Sequence, residues 1–232
     1  MKDRNYIMKV GVHSLFSRSF GITATLTMLL AAAFPIAAKE SVNTRERVMI
    51  YGDSLSAAYG INAKDGWVAL METKLRPQGI AVVNASISGE TSRGGLNRIK
   101  ADLARLSPTI VVLALGANDG LRGLPNVETR KNLEAIIKEA RAARARVVLV
   151  GIQIPPNYGL DYTQQFRDMY ADLAVKYKLP FVPFLLEGLA DKLEFFQADR
   201  LHPTAAAQPK ILDNVSPAIW QAIAKTSAAS RR

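Results

Sequence analysis

The sequence contains no cysteine, and only two of its 232 residues are histidines, His13 and His202. The absence of cysteine excludes thiol catalysis, thiolate metal sites and disulfide bonds, so the folded chain depends on its hydrophobic core. With so few histidines, a metal centre is also disfavoured, because histidine and cysteine are the common transition-metal ligands. We therefore expect neither a metal nor another cofactor.

Acidic residues are the scarcer charge sign, since 30 Lys and Arg stand against 20 Asp and Glu and give a formal net charge of +10. The basic surplus is densest at Arg141, Arg144 and Arg146, where a helix is predicted to end and cations lie favourably beside exposed carbonyls. No basic stripe is interleaved with stacking aromatics, so nucleic acid is not an expected partner. We expect a monomer whose basic surface makes peripheral contact with an anionic membrane.

The first 38 residues have the pattern of a secretory signal peptide. Four basic residues precede an apolar stretch from Phe20 to Phe34, and small residues follow it as far as Ala38. This stretch is shorter than the about 20 residues that span a membrane, and no later stretch approaches that length, which favours a cleaved signal over a retained anchor. The sequence thus predicts a signal at residues 1–38 and one domain at residues 39–232, located in the periplasm or secreted.

Beyond Arg45, short β-branched runs alternate with helical periodicity, which predicts crossover units and a mainly parallel sheet. Right-handed crossovers place helices on both faces, giving an α/β fold with a three-layer α/β/α sandwich. Five strands favour the flavodoxin-like order 2-1-3-4-5, in which the first and third strands border a binding crevice. The strands are predicted at residues 47–51, 80–84, 109–115, 146–152 and 180–184, the last at a sheet edge because of its prolines.

Three polar segments follow the first three strands and meet at this crevice. Residues 52–56, Gly-Asp-Ser-Leu-Ser, bring the small nucleophile Ser54 to the end of a buried strand. The segments 86–91 and 115–120 contain Gly89 and Asn118. Backbone N–H groups and an asparagine amide are suitable donors for the oxygen that becomes negative when a carbonyl is attacked. The segments together therefore predict acyl transfer to Ser54.

A general base is offered by Asp199-Arg200-Leu201-His202-Pro203, far along the chain. Because His13 belongs to the predicted signal, His202 is the only histidine expected in the mature protein. An aspartate three residues earlier can bind the imidazole Nδ1–H and leave Nε2 to accept the serine proton. Alone, this segment is more typical of a helix entry with a capping carboxylate. Combined with the other segments, it predicts a catalytic triad.

The chain resembles the SGNH (GDSL) hydrolase family at that family's four diagnostic segments. These are, in order, residues 52–55, Gly89 within Ser-Gly-Glu-Thr, residues 116–119 and residues 199–202. The resemblance extends from about Arg47 to Trp220. Residues 118–123, residues 154–159, and His202-Pro203 with residues 207–209 resemble those of a bacterial periplasmic branch of acyl-CoA thioesterases that are also lysophospholipases and arylesterases.

The resemblance implies a role for each matching position. Ser54 would be the nucleophile, His202 the general base and then acid, and Asp199 the partner that orients it. The backbone N–H groups of Ser54 and Gly89 and the side-chain amide of Asn118 would form the oxyanion hole. The implied activity is hydrolysis of carboxylic ester and thioester bonds of acyl-CoA, lysophospholipid and aryl esters through an acyl-serine intermediate.

Four neighbours of these positions are predicted to be structural. Asp53 is expected to bond nearby backbone N–H groups, and Asp119 to support the asparagine segment. Ala117 and Glu90 stand where close relatives often have Gly and Asp. Both flank the donor set, so they would alter loop shape and substrate preference without changing the mechanism.

The loops after strands three and four are apolar and are predicted to hold the acyl chain, since each buried methylene contributes about 0.8 kcal/mol. The alternative is that these residues only cover the core. The predicted substrate-binding residues are Leu121, Leu124, Pro125, Pro155, Pro156 and Tyr158.

Two other functions are compatible with this fold and these segments. The same triad could serve a carbohydrate O-deacetylase with a short, polar acyl pocket, and a catalytically silent lipid-binding protein would keep the fold without turnover. The sequence lacks the Gly-x-Ser-x-Gly elbow of α/β-hydrolases and the Gly-x-Gly-x-x-Gly loop of dinucleotide-binding domains. Those two architectures are therefore disfavoured.

Overall fold

The structure, a computed structural model, describes the backbone of residues 46–229 and the side chains of residues 46–224. The predicted signal peptide at residues 1–38 lies outside the described residues. Within the described part of the chain, no helix combines the length and the apolar character needed to cross a membrane.

Five strands form one parallel sheet: β1 (Arg47–Gly52), β2 (Ala81–Asn84), β3 (Ile110–Ala114), β4 (Arg146–Val150) and β5 (Phe181–Val182). Their order in the sheet is β2-β1-β3-β4-β5, which confirms the predicted topology. Each lies within its predicted range except β1, which is one residue longer. Because all strands are parallel, their carboxyl ends meet at one edge.

Helices cover both faces of the sheet: α1 (Trp67–Leu75), α2 (Ser92–Leu106), α3 (Ala117–Leu121), α4 (Asn126–Ala142), α5 (Leu160–Tyr177) and α6 (Gln208–Ala229). Helix α1 packs against α6, whereas α4 packs between α2 and α5. The predicted three-layer α/β/α sandwich is thereby confirmed.

The central strands are apolar along their whole length because helices cover both of their faces. All four residues from Val48 to Tyr51 are fully buried, and every residue of β3 is buried. Strand β5 is only two residues long, and Pro180 and Pro183 stand on either side of it. Proline has no N–H to donate to a sheet, so this strand stays short and lies at the edge.

Helix α3 stands where the sequence predicted only a loop, and this prediction was wrong. Gly116, with φ of +119°, turns the chain out of β3 and accepts a hydrogen bond from the N–H of Gly120 at 3.0 Å. A Cβ at position 116 would lie 2.1 Å from the hydroxyl of Tyr170, so only glycine fits. The turn puts Asn118 in the first turn of a helix at the carboxyl edge of the sheet.

The basic cluster of Arg141, Arg144 and Arg146 lies at the opposite edge, since Arg146 begins β4. Arg141 and Arg146 each donate a hydrogen bond to a backbone carbonyl, so part of this positive charge is engaged within the protein. Peripheral contact between the basic protein and an anionic membrane stays a prediction.

Candidate active site

The side chains of Ser54, His202 and Asp199 form a continuous hydrogen-bonded series at the carboxyl edge of the sheet. Ser54 Oγ lies 2.9 Å from His202 Nε2, and His202 Nδ1 lies 2.7 Å from Asp199 Oδ2. Ser54 directly follows β1, whereas the other two residues belong to the loop between β5 and α6. The fold thus brings together the three residues of the predicted triad, at distances that allow the imidazole to accept the hydroxyl proton.

The carboxylate of Asp199 is held by the backbone of its own loop. The N–H groups of His202 and Leu201 donate to Asp199 Oδ1 at 3.0 and 2.9 Å. The backbone bond from His202, the bond from its imidazole and the bond from Leu201 lower the pKa of Asp199 to about 2. The group is therefore ionised at neutral pH and accepts a hydrogen bond from the Nδ1–H of His202, which leaves Nε2 to face Ser54.

The three groups predicted as oxyanion donors each retain an unused N–H. The backbone N–H groups of Ser54 and Gly89 have no acceptor within the described residues. The amide of Asn118 donates one N–H to the carbonyl of Glu90 at 2.9 Å, which fixes the amide and leaves its second N–H available. Asn118 lines the same cavity as Ser54, while Gly89, at φ +78°, lies outside the lining residues with open space beside its Cα.

The two aspartates beside the site are buried and differ in their bonding. Asp53 accepts a hydrogen bond on Oδ1 from the N–H of Leu55 at 3.0 Å, but Oδ2 has no partner within the described residues. Burial raises the pKa of Asp53 to about 7 against the opposing effect of the Leu55 bond. Asp119 instead accepts from the N–H and hydroxyl of Ser92 at 2.8 and 2.5 Å, which ties α3 to α2. Among the described residues, no three His, Asp or Glu side chains are placed to hold a metal ion.

The two departures from the family pattern have different surroundings. Glu90 pairs with Arg98 at 2.7 Å, and both side chains are largely buried. Ala117 is buried and lines the cavity beside Ser54. Ala117 therefore contributes directly to the shape of the site. Glu90 does not line the cavity, and its pair with Arg98 anchors the loop that contains Gly89.

A cavity of about 410 Å³ opens beside the Ser54 hydroxyl, and its wall is mainly apolar. Of the predicted substrate-binding residues, Leu121, Pro155 and Pro156 line it. These residues lie in α3, which follows β3, and in the loop after β4. Both positions agree with the prediction that the chain after strands three and four borders the acyl site. The volume is that of a small-molecule pocket.

The other three predicted substrate-binding residues do not line this cavity. Tyr158 donates its hydroxyl hydrogen to the carbonyl of Leu121 at 2.9 Å, and Tyr162 does the same to Leu124 at 2.7 Å. Pro125 immediately precedes α4. The two tyrosine hydroxyls fasten the end of α3 and the loop after it to neighbouring elements. Substrate contact by Leu124, Pro125 and Tyr158 stays a prediction.

Much of the wall comes from the segment between β5 and His202, whose apolar residues were not predicted to belong to the site. The chain after β5 passes the mouth of the cavity on its way to His202, and its apolar residues had no periodicity that marked them. The rule that parallel strands end at one edge could have indicated this segment, since β5 ends there too. The wall residues from this segment are Phe184, Leu186, Ala190, Phe196, Arg200 and Leu201, while Leu55 and residues 152–154 come from the ends of β1 and β4.

Residues 50–208 match the family described as GDSL-like lipase/acylhydrolase, and the chain belongs to this family. The fold and the hydrogen-bonded Ser54, His202 and Asp199 agree with that assignment. The protein is an esterase of the SGNH class.

Its similarity to individual proteins is high over most of its length. It is 43% identical to Esterase TesA of Pseudomonas aeruginosa over 194 residues, which cover 83% of this chain and 96% of the relative. It is 41% identical to Thioesterase 1/protease 1/lysophospholipase L1 of Escherichia coli over 168 residues, covering 72% and 80% of the two chains. The crystal structure of a psychrotrophic esterase EstA from Pseudoalteromonas, inhibited by monoethylphosphonate, matches with a TM-score of 0.72 and 41% identity, over 76% of this chain and 97% of that one.

Proposed function

We propose that the chain hydrolyses acyl esters and thioesters through a covalent acyl-Ser54 intermediate. Ser54 Oγ attacks the substrate carbonyl carbon while His202 Nε2 takes the hydroxyl proton, and the carbonyl oxygen becomes negative. The tetrahedral intermediate then collapses, the bond to the leaving oxygen or sulfur breaks, and the imidazolium returns its proton to that atom. The alcohol or thiol departs and Ser54 carries the acyl group.

Deacylation repeats the steps with water as the nucleophile. His202 Nε2 removes a proton from water as its oxygen attacks the acyl carbon, and then returns the proton to Ser54 Oγ when the ester bond breaks. The ionised Asp199 stabilises the imidazolium formed in both steps. The products are a carboxylic acid and the free serine.

The contact of 2.9 Å between Ser54 Oγ and His202 Nε2 is the observation that carries this proposal. The crystal structure of EstA inhibited by monoethylphosphonate supports it, because a phosphonate resembles the tetrahedral intermediate of acyl transfer.

We expect Asn118→Ala to lower kcat by about 100- to 1000-fold with little change in KM, because the amide stabilises charge that develops only in the transition state. Hydrolysis of p-nitrophenyl butyrate measures both constants. Asn62→Ala, at an exposed asparagine outside the cavity, is the matched control and should behave as the wild type. A loss of less than about threefold in Asn118→Ala would show that the amide does not face the oxyanion.

The cavity wall favours substrates with an acyl chain and a negatively charged group. Apolar side chains dominate the lining, and Arg200 is the only Lys or Arg side chain in it. Its guanidinium has no hydrogen bond or ion pair within the described residues, so it is free to bind a phosphate. We propose acyl-CoA and lysophospholipid as the substrate class, since both carry phosphate beyond the scissile bond. The names of the thioesterase and lysophospholipase relative agree with this choice.

The test is a comparison of kcat/KM for octanoyl-CoA and for p-nitrophenyl octanoate, which share the acyl chain and differ in charge. We expect Arg200→Gln to lower the ratio of the two values about tenfold, the size of one charge-assisted hydrogen bond. Arg200→Lys keeps the positive charge and should restore most of the ratio. An unaltered ratio in Arg200→Gln would remove Arg200 from substrate recognition.

Carbohydrate O-deacetylation is the second enzymatic candidate, and its short acyl pocket suits this cavity less well. An acetyl group would leave most of about 410 Å³ of largely apolar space unfilled. Increasing the acyl length from two to eight carbons in the nitrophenyl series separates the two functions. A binding protein without turnover would fail to react with a fluorophosphonate at Ser54.

A further inference from the structure

We propose that Tyr59 and Gln197 are positioning residues that hold the His202 imidazole against Ser54, and we call this pair the Tyr59–Gln197 clamp. The inference rests on the proposed function, because it assigns a task to two residues outside the triad and the oxyanion donors. The imidazole must be held in place because it belongs to a segment far along the chain from Ser54. His202 reaches Ser54 from 148 residues away, on the connection between β5 and α6, which contains two short 3-10 turns and an isolated bridge between Phe196 and Pro203.

The ring of Tyr59 packs against the imidazole of His202. The two ring centroids are 4.3 Å apart, with 39° between their planes. The hydroxyl of Tyr59 makes no hydrogen bond within the described residues, and half of the residue's surface is exposed. The ring thus contributes by contact rather than by a polar bond. Its face also attracts the positive charge that the imidazole acquires in the transition state.

Gln197 joins the loop of the nucleophile to the loop of the base. Its amide Nε2 donates to the carbonyl of Tyr59 at 2.8 Å and to the carbonyl of Pro203 at 3.1 Å. Its backbone N–H donates to the carbonyl of His202 at 2.8 Å. Gln197 therefore holds the backbone of Tyr59, whose ring packs on the imidazole, and also the backbone of His202 and Pro203.

The nucleophile side of the clamp is tied to Ser54 itself. The N–H of Tyr59 donates to the carbonyl of Ser54 at 3.4 Å. The next residue, Gly60, has φ of +71°, and a Cβ there would lie 2.1 Å from Gln197 Oε1. The positive φ favours glycine at this position, and a larger residue would displace the Gln197 amide from its present place.

The proton transfer between Ser54 and His202 tolerates little displacement of the imidazole. A displacement of about 1 Å between reacting groups can cost about 100-fold in rate. Without the ring and the amide, the described contacts that hold the imidazole in place are its bonds to Ser54 and Asp199. Asp199 belongs to the same loop and therefore cannot fix that loop against Ser54.

The first test is Tyr59→Ala assayed with p-nitrophenyl butyrate. We expect kcat to fall by about 10- to 100-fold with KM nearly unchanged, and the rate of Ser54 labelling by a fluorophosphonate to fall in parallel. Tyr59→Phe keeps the ring and should recover most of kcat. The melting temperature should stay close to that of the wild type, because Tyr59 is half exposed. Leu193→Ala, which shortens another exposed apolar side chain, is the control for surface truncation.

The second test places Tyr59→Ala in a His202→Ala background. If the ring acts through the imidazole, its loss should cost nothing further once the imidazole is gone. An equal cost in both backgrounds, or a rise in KM alone, would make Tyr59 a substrate contact and overturn the clamp. A kcat within about threefold of the wild type in Tyr59→Ala would also overturn it. The proposed function fails separately, if the wild type has no esterase activity or Ser54→Ala retains it.

Discussion

Ser54→Ala should lower kcat for ester hydrolysis by on the order of a millionfold while leaving the fold intact. The hydroxyl oxygen forms the covalent bond in the proposed mechanism, and no other side chain of the cavity wall offers a nucleophile beside His202. The half-buried Ser54 contributes one hydrogen bond from its side chain, to His202, so little stability is lost. Single-turnover and steady-state assays with p-nitrophenyl butyrate measure the change, and the melting temperature checks the fold.

His202→Ala should cost nearly as much, and the double variant should be no worse than either single variant. Residues that act as one unit are not additive, since removing either member already disables the other. The two variants must also differ in one respect: slow labelling of Ser54 by a fluorophosphonate should persist in His202→Ala and vanish in Ser54→Ala. A Ser54→Ala enzyme with more than about a thousandth of wild-type kcat would contradict the acyl-serine route.

The second large effect concerns stability, because Asp53 carries a buried oxygen without a partner. Burial raises the pKa of Asp53 from 3.8 to about 7. The unfolded chain releases this proton above about pH 4, whereas the folded protein keeps it up to about pH 7. The contribution of Asp53 is therefore fully present below pH 4 and is lost as pH rises through 7. The difference between 3.8 and about 7 corresponds to about 4 kcal/mol.

Urea unfolding of the wild type and Asp53→Asn at pH 4 and pH 8 measures this effect. The variant should gain about 4 kcal/mol relative to the wild type between the two pH values. The comparison cancels the fixed cost of burying an amide, because that cost is the same at both pH values. Asp161→Asn, at an exposed aspartate, should show no such gain. Parallel pH profiles for the wild type and Asp53→Asn would show that the Asp53 carboxyl is paired or hydrated.

The topology could be predicted from sequence because its determinants are local. The apolar run Val48–Tyr51 is typical of a strand buried on both faces, and the same pattern recurs in β3 and β4. Once these strands alternate with helices, right-handed crossovers leave few arrangements. The order of the sheet then places Ser54 and Asn118 at the ends of neighbouring strands.

The cavity wall could be predicted only in part because it depends on contacts between distant segments. Tyr158 and Leu124 have the apolar character of wall residues, yet neither lines the cavity. The Tyr158 hydroxyl is bonded to the backbone of α3, and the carbonyl of Leu124 accepts a hydrogen bond from Tyr162. Phe184 and Phe196 line the cavity from a segment without periodicity. Nothing in their local sequence separates them from core residues.

The sequence by itself indicated the order of the strands, the strand ends at which polar segments stand, and His202 as the histidine that serves Ser54. Periodicity and strand-end positions depend on residues that are close in sequence, so they can be predicted from the sequence alone. Only the tertiary structure decided that Tyr59 packs on His202, that Arg200 stands in the cavity wall, and that Asp53 keeps an unpartnered oxygen. Each of these depends on how separate loops approach one another at the sheet edge, where differences of an ångström decide which groups meet.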